Sequence, residues 1–268
     1  MLALILGDTN LPKILIKLLK KKNIKFIVLD LTFNKIYRNY QNSFSINITE
    51  VDKALQILKS NKCNKIIFAG KVLRPNLSLS DFNFRSIKYY KRLYVAFRKG
   101  DGSILKEVIK IFKENKIQVL NSMKFTPELI FKDKLINNVQ VSCKDKSTIE
   151  KGVKIIKSLS KFDIGQTVII NDGFVLAIEG PEGTDKTIKR ASFLRKKYNL
   201  KQKSILIKFP KSNQDLRVDL PTIGFKTVQN CIKANIKGIA LKRNKNILLD
   251  KKRIIDTTIR NNFFITSI

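Results

Sequence analysis

Residues 2–31 read LALILGDTNLPKILIKLLKKKNIKFIVLDL, and their pattern decides the fold class. LALIL is a short apolar run that stops at Gly7. LPKILIKLLKKK (11–22) then spaces its apolar residues at helical intervals, and KFIVLDL (25–31) is a second apolar run. Strand, helix and strand joined by short connections imply a parallel pair with the helix laid across it. Outward from this stretch the alternation continues. VDKALQILKS (51–60) predicts an amphipathic helix, KIIFAG (65–70) a strand, 86–97 a helical region, DGSILKEVIKIFKEN (101–115) a helix and KIQVL (116–120) a strand. Residues 1–128 therefore read as a doubly wound parallel-sheet domain.

The period loosens around Thr126-Pro127, and 129–144 is expected to connect this domain to a second one at 145–268. There a helix is expected over 145–160. GQTVII (165–170) and FVLAIE (174–179) flank Asn171-Asp172-Gly173, the pattern of a hairpin. EGTDKTIKRASFLRKK (182–197) predicts a helix capped by Thr184 and Asp185, and SILIKF (204–209) a strand. A helix over 222–235 follows, then GIAL (238–241) with ILLD (247–250) as its hairpin partner. A helix over 250–260 and a strand FFIT (263–266) close the chain. The expected class is α/β, a parallel-sheet domain plus a mixed α/β domain.

Composition narrows the chemistry. The 268 residues contain no histidine, which excludes Ser-His-Asp and Cys-His machinery and any His-held metal. The three cysteines stand singly, so neither a disulfide framework nor a zinc knot is indicated. Catalysis would rest on carboxylates, Lys, Arg, hydroxyls, backbone N–H groups or a hard cation held by oxygen. The net charge of +33 suits anionic ligands and anionic membrane surfaces. Lysines outnumber arginines 43 to 11 and spread along the whole chain, with no basic stripe interleaved with aromatics, so a nucleic-acid partner is not expected. No apolar run reaches the roughly 20 residues of a membrane span. MLALILG lacks a basic lead-in and a cleavage site, and a cytoplasmic protein is expected.

Several stretches could carry chemistry. GDTNLP (7–12) lies where a strand meets a helix, but Thr9 and Pro12 occupy the second and third places of a GxGxxG pattern, which speaks against a nicotinamide or flavin cofactor. Arg74 follows a strand and is either a ligand contact or a surface turn residue. Two acidic loops stand out in the second half, IEGPEGTD after 174–179 and KSNQDLRVDLPTIG after 204–209. If their strands are neighbours, the loops share a pocket. Carboxylates grouped with Lys208, Gln214 and Arg217 suit an oxygen-ligand Mg²⁺ site that handles phosphate. Asp215 with Arg217 is otherwise a local salt bridge, and Asp185 otherwise a helix cap. Asp219, directly before Leu220-Pro221, fits neither description.

The order of these segments resembles one family, the UDP-2,3-diacylglucosamine diphosphatases of lipid A biosynthesis, LpxI type. The stretches that carry it are LALILGDTNLP, FAGKVLRP (68–75), RKGDGSILKEVIKIFKEN (98–115), FDIGQTVIINDGFVLAIEGPEGTD (162–185), KFPKSNQDLRVDLPTIG (208–224), KGIAL (237–241) and ILLDKKRII (247–255). The resemblance implies a Rossmann-like N-terminal domain and a C-terminal α/β domain with the lipid nucleotide held between them. It implies Mg²⁺-assisted hydrolysis of the pyrophosphate, with water attacking the sugar-side phosphorus to give UMP and 2,3-diacylglucosamine 1-phosphate. Asp219 matches the essential aspartate of the family's RVDLP motif. Gly165, Gln166, Glu182, Gly183 and Thr184 match elements read as substrate contacts, and Asp185 joins Asp219 as a metal ligand. A diacylated substrate also implies peripheral contact with the inner membrane, and a homodimer is compatible with this reading. Thr9 departs from a family turn richer in glycine, so no anion contact carries over there. A non-catalytic polyanion or nucleotide-sugar binding protein is the alternative.

Overall fold

The computed structural model describes residues 1–72, 78–82, 84–212 and 214–268. Contacts divide it into two compact units. The first comprises Met1–Pro127 with Asp215–Asp219, the second Glu128–Gln214 with Leu220–Ile268.

In the first unit five strands form a wholly parallel sheet: β1 (Leu2–Leu6), β2 (Phe26–Asp30), β3 (Ser43–Ser45), β4 (Lys65–Ala69) and β5 (Gln118–Leu120), in the order β3-β2-β1-β4-β5. Every residue of β1 is buried, as expected for a parallel strand covered on both faces. Helix α1 (Leu11–Lys21) buries Leu11, Leu15, Ile16 and Leu19, the one apolar stripe that its spacing provides. Helices α2 (Val51–Ser60), α3 (Ile87–Lys99) and α4 (Asp101–Glu114) complete the alternation read from the sequence.

The strand order reverses between β1 and β4, the place where doubly wound sheets receive ligands. Here backbone hydrogen bonds join the two loops that follow these strands. Asp8 and Lys71 exchange N–H···O bonds of 2.8 and 2.7 Å, and Gly7 N donates to Ala69 O at 2.9 Å. A Cβ on Gly7 would stand 2.5 Å from Lys71 O, so this glycine permits the close approach of two chains.

The second unit also has a five-stranded sheet, from β6 (Thr167–Asn171), β7 (Phe174–Ile178), β8 (Ser204–Lys208), β10 (Ile236–Leu241) and β12 (Phe264–Ser267), in the order β12-β10-β8-β6-β7. The first three in that order run parallel, and β6 is antiparallel to both β8 and β7. Helix α5 (Cys143–Leu159) starts in a capping box of Ser142 and Asp145. It packs on one face of the sheet with Val168, Ile170, Ile205 and Ile207. Ile169, Leu206 and Ile239 alternate to the other face, under α6 (Thr184–Lys197), α7 (Phe225–Lys233) and α8 (Lys251–Arg260).

The α/β class and the hairpin over 165–179 hold. ILLD does not pair with 238–241, because β8 and β12 already occupy both edges of β10. Instead β11 (Ile247–Leu248) runs parallel to β9 (Thr222–Ile223), a strand that also delays the start of α7 to Phe225.

Candidate active site

The candidate site of the second unit is built around the start of β6. The strands at 174–179 and 204–209, whose adjacency the sequence leaves open, are separated by β6. Because β6 is antiparallel to both, its first residue meets their last ones. Thr167 pairs with Lys208, and Glu179 N donates to Thr167 O at 2.8 Å. The loop after β7, the segment after β8 and the turn Gly165-Gln166 therefore lie at one end of one sheet. Gly165 makes that convergence possible. Its φ is +35°, and any Cβ there would overlap the carbonyl oxygen of Glu179.

Three side chains form the buried centre. Lys208 Nζ donates to Thr184 Oγ1 at 2.6 Å, and Thr184 Oγ1 donates to Glu179 Oε1 at 3.0 Å. Lys208 is 4% exposed and Glu179 7%, so the ammonium and the carboxylate sit away from water. Glu179 Oε2 is 4.0 Å from Lys208 Nζ and, though buried, accepts no hydrogen bond from the described residues. Two N–H groups of Lys208 thus have no acceptor at hydrogen-bonding distance among the described residues. Glu179 is the first acid of the loop IEGPEGTD but is not among the predicted site residues, since an acid ending an apolar strand looks like a surface residue.

Thr184 and Asp185 do not cap α6, as sequence reading expected. Gly183 (φ +80°) is the N-cap, and among the described residues no side chain caps the first turn. The Thr184 hydroxyl is engaged by Lys208 and Glu179 instead. Asp185 Oδ1 is buried without a hydrogen-bond partner among the described residues. An uncapped helix start with its positive end free favours an anion. Burial pushes the Cys231 thiol up, the charge of Asp185 adding to it and that of Lys208 opposing it, so this buried cysteine is an inert neighbour and no nucleophile.

The other predicted residues hold the frame. Glu182 accepts from Arg190 Nη2 at 2.8 Å and Thr187 Oγ1 at 3.2 Å, and the Arg190 bond holds its carboxyl below the usual range. Gln214 Nε2 donates to Gln166 Oε1 at 3.3 Å, while Gln214 Oε1 accepts from Lys211 N at 2.8 Å. Lys211 also pairs with Asp163, tying the segment after β8 to the turn before β6.

Asp215, Arg217 and Asp219 fall in the stretch that groups with the first unit. Val218 packs on that unit's core beside the residues of β1 and β2. Asp215 O accepts from Val218 N at 3.1 Å and Asp219 N at 3.0 Å, so the stretch is one tight turn. Arg217 Nη2 binds Asp215 Oδ2 at 2.6 Å and lowers the carboxyl pKa. Asp219 is half-buried at the end of this turn. Arg74 lies outside the described residues.

Among the described residues no three Asp, Glu or Cys side chains gather as a metal cluster. Mg²⁺ needs less, since it binds through one or two carboxylates and completes its shell with water and substrate phosphate. The unsatisfied Oδ1 of Asp185 is an oxygen of that kind, so this one carboxylate fits the ion.

Residues 1–129 match the family model described as the LpxI N-terminal domain, and residues 132–266 the one described as the LpxI C-terminal domain. A protein of Caulobacter vibrioides named UDP-2,3-diacylglucosamine pyrophosphatase LpxI is 29% identical over 213 residues, 78% of this chain and 76% of that one. With both family domains present in order over nearly the whole sequence, the chain belongs to the LpxI family.

Proposed function

We propose that this protein hydrolyses the pyrophosphate bond of UDP-2,3-diacylglucosamine, a lipid A precursor, at the cytoplasmic face of the inner membrane. The products are UMP and 2,3-diacylglucosamine 1-phosphate. The name of the Caulobacter relative supports the substrate. The observation that carries the chemistry is the buried ammonium of Lys208, held on Thr184 at the uncapped start of α6 with two N–H groups lacking acceptors. That arrangement is suited to phosphate oxygen.

In this reading the oxygen of water bonds to the sugar-side phosphorus, and the bond from that phosphorus to the bridging oxygen breaks. The bridging oxygen leaves on UMP. Asp219, the residue of the RVDLP turn, accepts the proton of the attacking water. Lys208 and the first N–H groups of α6 offset the charge that builds on the phosphate oxygens. Glu179 fixes Thr184, and through it the ammonium of Lys208. Gly165, Gln166, Gly183, Gln214 and the Asp215–Arg217 pair shape the backbone that presents these groups, and Glu182 anchors its loop to Arg190. Asp185 would hold Mg²⁺. The bound ion would supply charge neutralisation on the pyrophosphate.

The test is UMP release from UDP-2,3-diacylglucosamine by the purified protein with Mg²⁺. Release that stops with a chelator and returns with Mg²⁺ is expected. Tight binding of the substrate without UMP would replace this reading with that of a nucleotide-sugar binding protein.

A further inference from the structure

Helix α3 differs from the other helices in what it leaves outside. Its sequence, IKYYKRLYVAFRK, contains no acid. Tyr89, Leu93 and Ala96 point inward, and Tyr89 and Leu93 pack with Phe82 and Ile111 of the first unit. Arg92 is used within the fold, at 2.6 Å from Glu107 and 2.8 Å from Glu114 of α4. The remaining face is open. Ile87 is 43% exposed, Tyr94 38% and Val95 47%, and Phe84, in the turn that leads into the helix, is 91% exposed. Lys88, Lys91, Arg98 and Lys99 are exposed among them and form no ion pair with any described residue. At 100° per residue, Ile87, Lys88, Lys91, Tyr94, Val95, Arg98 and Lys99 fall within an arc of about 140°.

An exposed arc that mixes aliphatic and aromatic side chains with unpaired cations, and holds no carboxylate, has the chemistry of a helix lying in a lipid interface. The apolar side chains match the acyl boundary, and the cations match lipid phosphates. A second copy of this chain fits poorly, because each brings a net charge of +33 and this face would meet more positive charge. Phe84 and Tyr94 could stack on nucleic-acid bases, but Ile87 and Val95 between the cations could not, whereas all four side chains can enter an acyl boundary. No helix among the described residues is long and apolar enough to cross a membrane, so contact of this kind would be peripheral.

We propose that the outer face of α3, with Phe84, docks the protein on an anionic bilayer surface. The proposal deepens the proposed function, since it rests on the reading of the substrate as a lipid held in that bilayer.

The chain contains no tryptophan, so Tyr94→Trp places a single reporter on this face. Its emission should shift to the blue on vesicles of phosphatidylcholine with phosphatidylglycerol, and stay unchanged on phosphatidylcholine alone. Co-sedimentation of the full chain with the same anionic vesicles should fall about tenfold or more when Lys91 and Arg98 are both replaced by Glu. Phe84→Ser with Val95→Asp should weaken it as well. These side chains are exposed, so folding should be retained, and UMP release from a short-chain analogue dispersed without vesicles should match the unmodified protein. Vesicle binding unchanged in both double variants, or no blue shift, would overturn the proposal. So would tighter binding to single-stranded RNA than to the vesicles at the same salt, with the same variants abolishing it. Vesicle binding that depends on α3 without UMP release from any substrate would support the docking face and remove the proposed reaction.

Discussion

Lys208 Nζ and Glu179 Oε2 lie 4.0 Å apart in a buried environment, joined through the single hydroxyl of Thr184. The pair is close enough for each charge to need the other, yet too far apart for a direct hydrogen bond. Removing one partner should therefore leave an uncompensated buried charge. Glu179→Ala is expected to destabilise the protein by about 3–5 kcal/mol in urea unfolding. Glu179→Gln, which keeps the shape, should unfold nearer to the unmodified protein while kcat falls. A Glu179→Ala variant of full stability would show that Lys208 does not depend on this carboxylate.

Gly165 is a second structural constraint on the site. Its φ of +35° and the overlap that a Cβ would make with Glu179 O leave no room for a side chain. Gly165→Ala should cost on the order of 1–3 kcal/mol from backbone strain alone. It should also displace Glu179 and lower turnover. An unfolding midpoint equal to that of the unmodified protein would contradict the close approach.

Three carboxyls lie below their ordinary values, Glu114 beside Arg92 and the two in the candidate site's stretches. Asp215 lies below its ordinary value of 3.8 because Arg217 binds it, and Glu182 below 4.5 because Arg190 does. A lowered folded pKa means that the folded state binds fewer protons than the unfolded chain in this window. Both contributions are complete above the ordinary values and are lost as pH falls through the folded ones. Unfolding midpoints should thus hold steady above about pH 5 and decline below about pH 4. Arg217→Met together with Arg190→Met should flatten that decline in part, leaving the share of Glu114 beside Arg92. A decline of the same steepness in the double variant would assign it to other groups.

Asp219 carries the proton transfer in the proposed reaction. Asp219→Asn should lower kcat by about 10²-fold or more, the usual scale of a lost general base. Far-ultraviolet circular dichroism and the unfolding midpoint should stay close to those of the unmodified protein. Near-normal turnover would remove this residue from the mechanism.

The sequence displayed some of this and hid the rest for physical reasons. The parallel sheet of the first unit is legible because buried strands such as Leu2–Leu6 are uniformly apolar and stop at glycine. Ser43–Ser45 was invisible, since a three-residue edge strand with two serines has no apolar pattern. The pairing of Ile247–Leu248 with Thr222–Ile223 depends on both edges of β10 being occupied, which no local pattern records. Thr184 and Asp185 looked like caps because Thr and Asp usually are, and only the buried Lys208 draws the Thr184 hydroxyl elsewhere. The two acidic loops were legible as a pair, but the contacts of Val218 set Asp215–Asp219 with the first unit. That is a packing relationship between residues far apart in the chain.

The proposed reaction is tested most directly by turnover in water enriched in heavy oxygen. The purified protein is incubated with Mg²⁺ and UDP-2,3-diacylglucosamine, and both products are weighed by mass spectrometry. One heavy oxygen is expected in 2,3-diacylglucosamine 1-phosphate and none in UMP. Absence of UMP would contradict the hydrolysis itself, and label in UMP would contradict attack at the sugar-side phosphorus.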